Sequence, residues 1–213
     1  ASDVYKRQIY ISLGYAITDR LLVALGRSNS ADNVELQARY GIAHQGGVDG
    51  WPIGVSVQTS FNFVTQEIPN TARFAGERFK ATGQLSLTHQ VGDRTGLAVV
   101  PGVLFNPAED VDGEPVLITI GLGGRYRFTR QLSVIGEWAP IVSGFTRTRT
   151  FGNDIRFDTW GGGLEIATAG HVFQIVVTNS VGLTSDQYLR GGDMDLFEGK
   201  MRLGFNIFRV LSW

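Results

Sequence analysis

Ten charged or amide side chains, Glu35, Gln37, Arg39, Gln58, Arg125, Arg127, Glu137, Glu165, Gln174 and Arg202, fall inside segments whose alternate residues are apolar. Side chains of both signs gathered on one face have three uses. They can pair and fill an interior, line a selective pore, or grip a ligand, and the residue types alone leave these three open. Other constellations carry less. His44, His89 and His171 sit beside short connections at a common rim, but their spacings match no ligand motif, so no metal centre is expected. The acidic runs of Glu109, Asp110, Asp112 and Glu114, and of Asp193, Asp195 and Glu198, lack the twelve-residue calcium-loop pattern and read as solvated loops. The glycine runs at 121–124 and 161–163 have no helix after them to present an N-terminus, so neither cradles a phosphate. Hydrolysis would need a nucleophile, a base and an orienting residue within one reachable cluster. The sequence points to no such cluster, and therefore to no catalytic residue and no cofactor.

The elements that position these side chains follow from period. The chain has 213 residues, 28 of them glycine, about 13% against a usual 7% or so, and only 18% are charged. A net charge of −1 gives no footprint for nucleic acid. Without cysteine there is no disulfide or thiol chemistry. No apolar run is long enough for a transmembrane helix. What dominates instead is alternation over about ten residues, the period of a strand with two unlike faces. From Ile53 to Val64 one face carries Ile53, Val55, Val57, Thr59, Phe61 and Phe63, and the other Gly54, Ser56, Gln58, Ser60 and Asn62. The same pattern recurs over 34–42 and 118–128, and eight further strands are read at 9–17, 21–28, 80–91, 95–106, 132–143, 155–167, 171–182 and 200–211. No helix of ordinary length competes.

Connections alternate in length. Short ones fall at 18–20, 44–51, 92–94, 129–131 and 167–170, and longer ones at 28–33, 67–79, 107–115, 145–154 and 184–199. That asymmetry belongs to transmembrane β-barrels, with tight periplasmic turns and longer outer loops. Mid-strand arginine costs roughly 2–4 kcal/mol against lipid at the midplane, so the ten polar side chains are expected to line the lumen. Phe61, Phe63, Leu122, Tyr126, Phe173, Ile175 and Phe205 are expected to face outward. At the C-terminus, Phe205, Ile207, Leu211 and Trp213 are similar to the membrane-targeting last strand of outer-membrane barrels. Arg209 departs from its apolar register, which a long side chain at the membrane edge can absorb by snorkelling.

Several segments together resemble a family of uncharacterised Gram-negative outer-membrane β-barrels, known from Bacteroidetes-type bacteria and catalogued as a domain of unknown function. They are residues 14–21, 26–28, 121–127, 170–174, 178–180 and 204–207. The resemblance implies a bacterial outer-membrane location, surrounding lipids, a passage through the barrel-assembly machinery and no established reaction. The expectation is an all-β antiparallel transmembrane barrel, a single domain across 1–213 with residues 1–8 unassigned. About eleven strands of a probable twelve are visible, because bacterial single-chain barrels have even strand numbers. An ascending strand is therefore expected to be missing from the N-terminus, leaving the first and last strands unpaired. Function is expected to be a narrow transport channel or a structural barrel docking a periplasmic or surface protein. A soluble barrel binding a lipid in an apolar interior and an outer-membrane hydrolase are the competing classes.

Overall fold

The computed structural model of the protein describes residues 8–46, 50–67, 71–107, 115–144, 150–151, 154–155 and 157–211. Eleven strands form an antiparallel meander in chain order: β1 (Tyr10–Ala16), β2 (Leu21–Ser28), β3 (Asn33–Ala43), β4 (Gly54–Val64), β5 (Phe79–Val91), β6 (Thr95–Phe105), β7 (Val116–Arg127), β8 (Leu132–Ala139), β12 (Thr159–Ala167), β13 (Val172–Thr178) and β14 (Arg202–Phe208). A short β9 (Ile141–Ser143) also pairs with β7 and completes the twelve-stranded sheet, while β10 (Thr150–Phe151) and β11 (Asp154–Ile155) form a separate two-stranded ribbon. Because direction alternates along the eleven, β1 and β14 run the same way. They do not pair, and the sheet is not closed.

The expected run from 132 to 143 is interrupted at Pro140, which has no N–H to donate, and the β7 register shifts between Ile118 and Thr119 to accommodate it. Pro101, in the middle of β6, likewise coincides with the gap in the β5–β6 ladder between the Gln84–Gly102 and Leu87–Val99 pairs. Strands read at 155–167, 171–182 and 200–211 are shorter in the structure, since Thr178 is the last residue of β13 and the chain then turns inward.

Short connections share one device. Thr18 Oγ1 accepts from the amides of Arg20 and Leu21, Thr129 Oγ1 from those of Gln131 and Leu132, and Thr168 Oγ1 from that of His171. A threonine hydroxyl thus stands in for a backbone acceptor at three turns on the same end. All long connections leave from the opposite end, at 29–32, 65–78, 106–115, 140–158 and 179–201.

The sheet curls around a helix of one and a half turns, α1 (Ser185–Leu189), which lies in the long connection after β13. The segment containing α1 bonds Asn33 and Glu35 of β3 on one side and Thr159 of β12 on the other. Laid flat, the six strand spacings from β3 to β12 would separate those residues by about 29 Å. Five helical residues span only about 7.5 Å. The polar face is therefore the concave, interior one, and the apolar face is convex. Phe61, Leu122, Tyr126, Ile175 and Phe205 are all exposed on the convex face. Phe63 and Phe173 share it but are half-buried by stacking on neighbouring rings, Phe63 on Phe79 at 4.7 Å and Phe173 on Phe205 at 6.3 Å.

A charge at the two faces should thus have opposite consequences. Leu122→Arg, on the convex face, should lower stability in lipid vesicles by about 2–4 kcal/mol, whereas Asn206→Arg on the concave face should cost no more than its one exposed bond to Gln174, about 0.5–1.5 kcal/mol. Equal losses from both variants would contradict the assignment of faces.

Candidate functional site: the lumen and its inward-folded segment

Inner-face positions at the long-loop end form a polar floor beneath α1. Asn33 and Glu35 of β3, Asn62 of β4 and Lys80 of β5 are fully buried, with Glu35 opposite Asn62 and Asn62 opposite Lys80 in register. Glu35 has both oxygens occupied: Oε2 accepts from the Tyr10 hydroxyl at 2.8 Å and Oε1 from the Ser185 amide at 2.8 Å. That amide is one of the donors a helix N-terminus cannot satisfy internally. Here a strand carboxylate far away in sequence supplies the acceptor.

Asn33 Nδ2 donates to Asp186 Oδ1 at 2.8 Å and to Thr184 Oγ1 at 3.0 Å, and the Thr184 hydroxyl in turn donates to Asp186 at 2.6 Å. Gln187 reaches the Ser30 carbonyl at 2.9 Å, and Gln37 contributes a longer bond of 3.4 Å to the Ser185 hydroxyl. On the other wall the Thr159 hydroxyl donates to the Tyr188 carbonyl. The Tyr188 side chain is hydrogen-bonded to Glu137; burial first, and the neighbouring carboxylate second, push its phenol above its ordinary range, so it stays a neutral donor.

One small apolar cluster, with Tyr188 and Ile141 packed against it, secures the centre of the segment. Leu189 packs between Leu104 of β6 and Leu117 of β7, all three buried. These two leucines occupy inner-face positions where the alternation otherwise places polar or small residues. The return leg is tied down as well. Gly192 and Phe157 exchange two backbone bonds of 2.7 and 2.8 Å, and Asn179 accepts from the Trp160 amide while donating to the carbonyls of Asp158 and Met194. Gly191 has φ +96°, and a Cβ there would collide with the Phe157 carbonyl, so only glycine fits this bend. Arg202 closes the base of the segment with a two-pronged bond to Asp193, at 2.6 and 2.8 Å.

Nearer the short-turn end the interior is accessible and mixed in charge. Arg125 pairs with Glu165 at 2.8 Å and donates to Ser133, Glu165 accepts from Gln174 at 2.9 Å, and Gln174 accepts from Asn206 at 3.2 Å. This chain of bonds crosses β7, β8, β12, β13 and β14 along one level. On the facing wall Arg39 lies opposite Gln58 and donates to the Ser56 hydroxyl at 3.4 Å. The ten side chains are thus not one cluster. Glu35, Gln37 and Glu137 meet α1; Arg125, Glu165 and Gln174 form the ladder; Arg39 and Gln58 line the opposite wall. Arg127 sits at the short-turn rim on the Asp93 carbonyl, and Arg202 at the other rim on Asp193. At the C-terminus Phe205 and Ile207 point outward from β14, Leu211 lies exposed beyond it, and Trp213 is outside the described residues.

His89 Nδ1 lies 2.9 Å from the Pro52 carbonyl and His171 stacks on Phe173. Among the described residues no three histidine, aspartate or glutamate side chains converge as a metal site. Residues 109–114 lie outside the described residues, while Asp193 is engaged by Arg202 rather than solvated. Four functional positions escape the pattern reading: Asn33, Asn179, Arg78 and Lys80. Arg78 is buried at the rim and donates to the carbonyls of Val64, Gln66 and Ala72, and Lys80 to those of Glu77 and Asn106.

An antiparallel sheet with an apolar convex face, a polar concave face and a long loop folded into its interior defines a protein of the membrane β-barrel class. The chain belongs to the family described as "Membrane bound beta barrel domain (DUF5777)", which matches residues 4–211. Among solved structures it is similar to the NanC porin in a rhombohedral crystal form, with a TM-score of 0.63 over 96% of this chain and 93% of that one, at 6% identity. At that identity the likeness speaks for the fold alone. No curated protein sequence matches the chain.

The bonds from Asn33 predict a specific weakness. Asn33→Ala leaves Asp186 buried with one acceptor bond fewer, a loss of about 1–3 kcal/mol. In a chain without native cysteine, Leu189→Cys should be alkylated much faster when Asn33→Ala is added, with no change in the heat-modifiable gel mobility of the barrel. Equal labelling rates would mean that Asn33 does not hold α1.

Proposed function

We propose that the protein is a bacterial outer-membrane pore of narrow bore for small hydrophilic solutes, with the α1 segment as its constriction and no catalysis of its own. Supporting the location are the membrane-barrel family and the division into tight turns at one end and long connections at the other, which in outer-membrane barrels face the periplasm and the exterior respectively. The observation that carries the reading is the contrast within the lumen. α1 is bonded across the long-loop end, while below it Arg39 and Arg125 keep exposed side chains on the inner wall, Arg125 beside its partner Glu165. A barrel stabilised only by filling would bury those guanidinium groups. Charge of both signs on the wall suits weak rather than strict ion selectivity, since neither sign forms a continuous ring.

The competing reading is a closed structural barrel that docks a partner, favoured by the number of bonds that hold α1 in place. Planar-bilayer recordings on the protein separate the two. Small, steady conductance steps are expected from the wild type, and larger ones from the Asn33→Ala/Asp186→Ala double variant in which α1 is released. Silence from both proteins in all salts tested would establish the structural reading.

A further inference from the structure

Three glycines occupy neighbouring lipid-facing positions at one level of the sheet. Gly124 of β7 is the register partner of Gly136 of β8, and Gly136 is the partner of Gly162 of β12. All three belong to the convex set, in phase with Leu122 and Tyr126, Val134 and Trp138, and Leu164. Missing three adjacent side chains, the surface is recessed there. A Cβ on Gly124 would meet nothing within 4 Å, and one on Gly136 only the Gly161 carbonyl at 3.9 Å. The space is therefore not required by packing. The part of this trough around β6, β7 and β8 is a concavity of about 390 Å³, walled by Leu97, Tyr126 and Val134.

Along the same strands, toward the short turns, lies a second concavity of about 410 Å³ between the turns 92–94 and 128–131, lined by Arg94, Arg127 and Arg130 with Asp93, Phe128 and Thr129. Three guanidinium groups against one carboxylate leave its lining at +2. Phe128 marks the depth: exposed on the convex side and edge-on to Tyr126 at 5.0 Å, it takes the place of a girdle aromatic at the edge of the hydrocarbon. From Gly124 to Phe128 is four residues, about 13 Å along the strand. An apolar trough within the hydrocarbon thus lies one acyl-chain segment away from a cationic pocket at the level of the girdle aromatic.

We propose that β6, β7 and β8 form a binding site for one anionic phospholipid of the leaflet at the short-turn rim, its acyl chain in the glycine trough and its phosphate against Arg94 and Arg130. Arg127 contributes charge while its guanidinium is anchored on the Asp93 carbonyl. Charge complementarity selects this occupant. A second copy of the barrel could use the trough, but would bring no anion to the arginines.

Native mass spectrometry of the protein in detergent, titrated with phosphatidylglycerol, phosphatidylcholine or inorganic phosphate, tests the site. One phosphatidylglycerol is expected to be retained in preference to phosphatidylcholine, and inorganic phosphate should not displace it. Gly124→Val/Gly136→Val fills the trough where the protein leaves room, and valine suits a strand. This variant should fold and bind phosphatidylglycerol about tenfold more weakly. Arg94→Gln/Arg130→Gln should erase the preference between the two lipids. Undiminished retention by the valine variant, displacement by inorganic phosphate, or a dimer that the valine variant abolishes would each overturn the proposal.

Discussion

Hydrocarbon offers a backbone no hydrogen-bond partner, so each strand of a membrane-spanning sheet must satisfy its amides against its neighbours. Everything else in this protein follows from that ladder. It holds adjacent strands in register, and register puts every second side chain in lipid. The apolar set on the convex face and the polar set on the concave face are one fact seen from two sides. Prolines show how narrow the tolerance is: Pro101 and Pro140 each remove a donor, and at each the ladder skips or shifts. The ladder's ends are the other exception, since β1 and β14 run in the same direction and cannot pair antiparallel with one another.

Inside the barrel the same accounting operates with different partners. A segment that turns into the lumen carries its own amides and carbonyls away from water, and α1 is too short to satisfy them itself. Glu35 takes the Ser185 amide, Thr159 donates to the Tyr188 carbonyl, and Asn33 bonds the Asp186 carboxylate. Polar residues on the inner wall at this end therefore serve the inserted segment first. Those nearer the short turns, Arg125, Glu165, Gln174 and Asn206, bond one another across strands instead. One wall chemistry does two jobs at two depths.

The fold was legible because its signal is local and repeated. Alternation in β4 and β7 reads directly as two faces, and the contrast between turns such as 18–20 and connections such as 184–199 orients the barrel. Strand ends were less legible: Thr178 to Gly182 continues no alternation strong enough to mark where β13 stops. The inward course of the next segment is not legible from alternation. Its signals were two leucines, Leu104 and Leu117, on a face where polar or small residues were due, and a tight glycine bend at Gly191. Neither pattern says which distant residue will meet it, because Leu189 is brought there by the topology. Arg78 and Lys80 escaped for a similar reason. Both bond backbone carbonyls of their own rim, and a carbonyl leaves no mark in a sequence.

The two rims solve the same problem by different means, and the difference decides where function can reside. At the short-turn end a threonine hydroxyl closes each of three turns with atoms two or three residues away. Such turns are self-sufficient and need nothing from the lumen. At the opposite end the chain depends on long-range bonds: Arg78 to its loop, Asn179 to Asp158 and Met194, Arg202 to Asp193, and α1 to the walls. A net hydrogen bond contributes only about 0.5–1.5 kcal/mol, and the apolar anchor of α1 is one small cluster, Leu189 on Leu104 and Leu117 with Tyr188 and Ile141 packed against it. The inserted segment is therefore held by many weak, polar and individually replaceable contacts, whereas the sheet around it is held by a continuous ladder. Rearrangement can occur in the first without loss of the second, which is the mechanical condition for a constriction that differs from the wall it sits in.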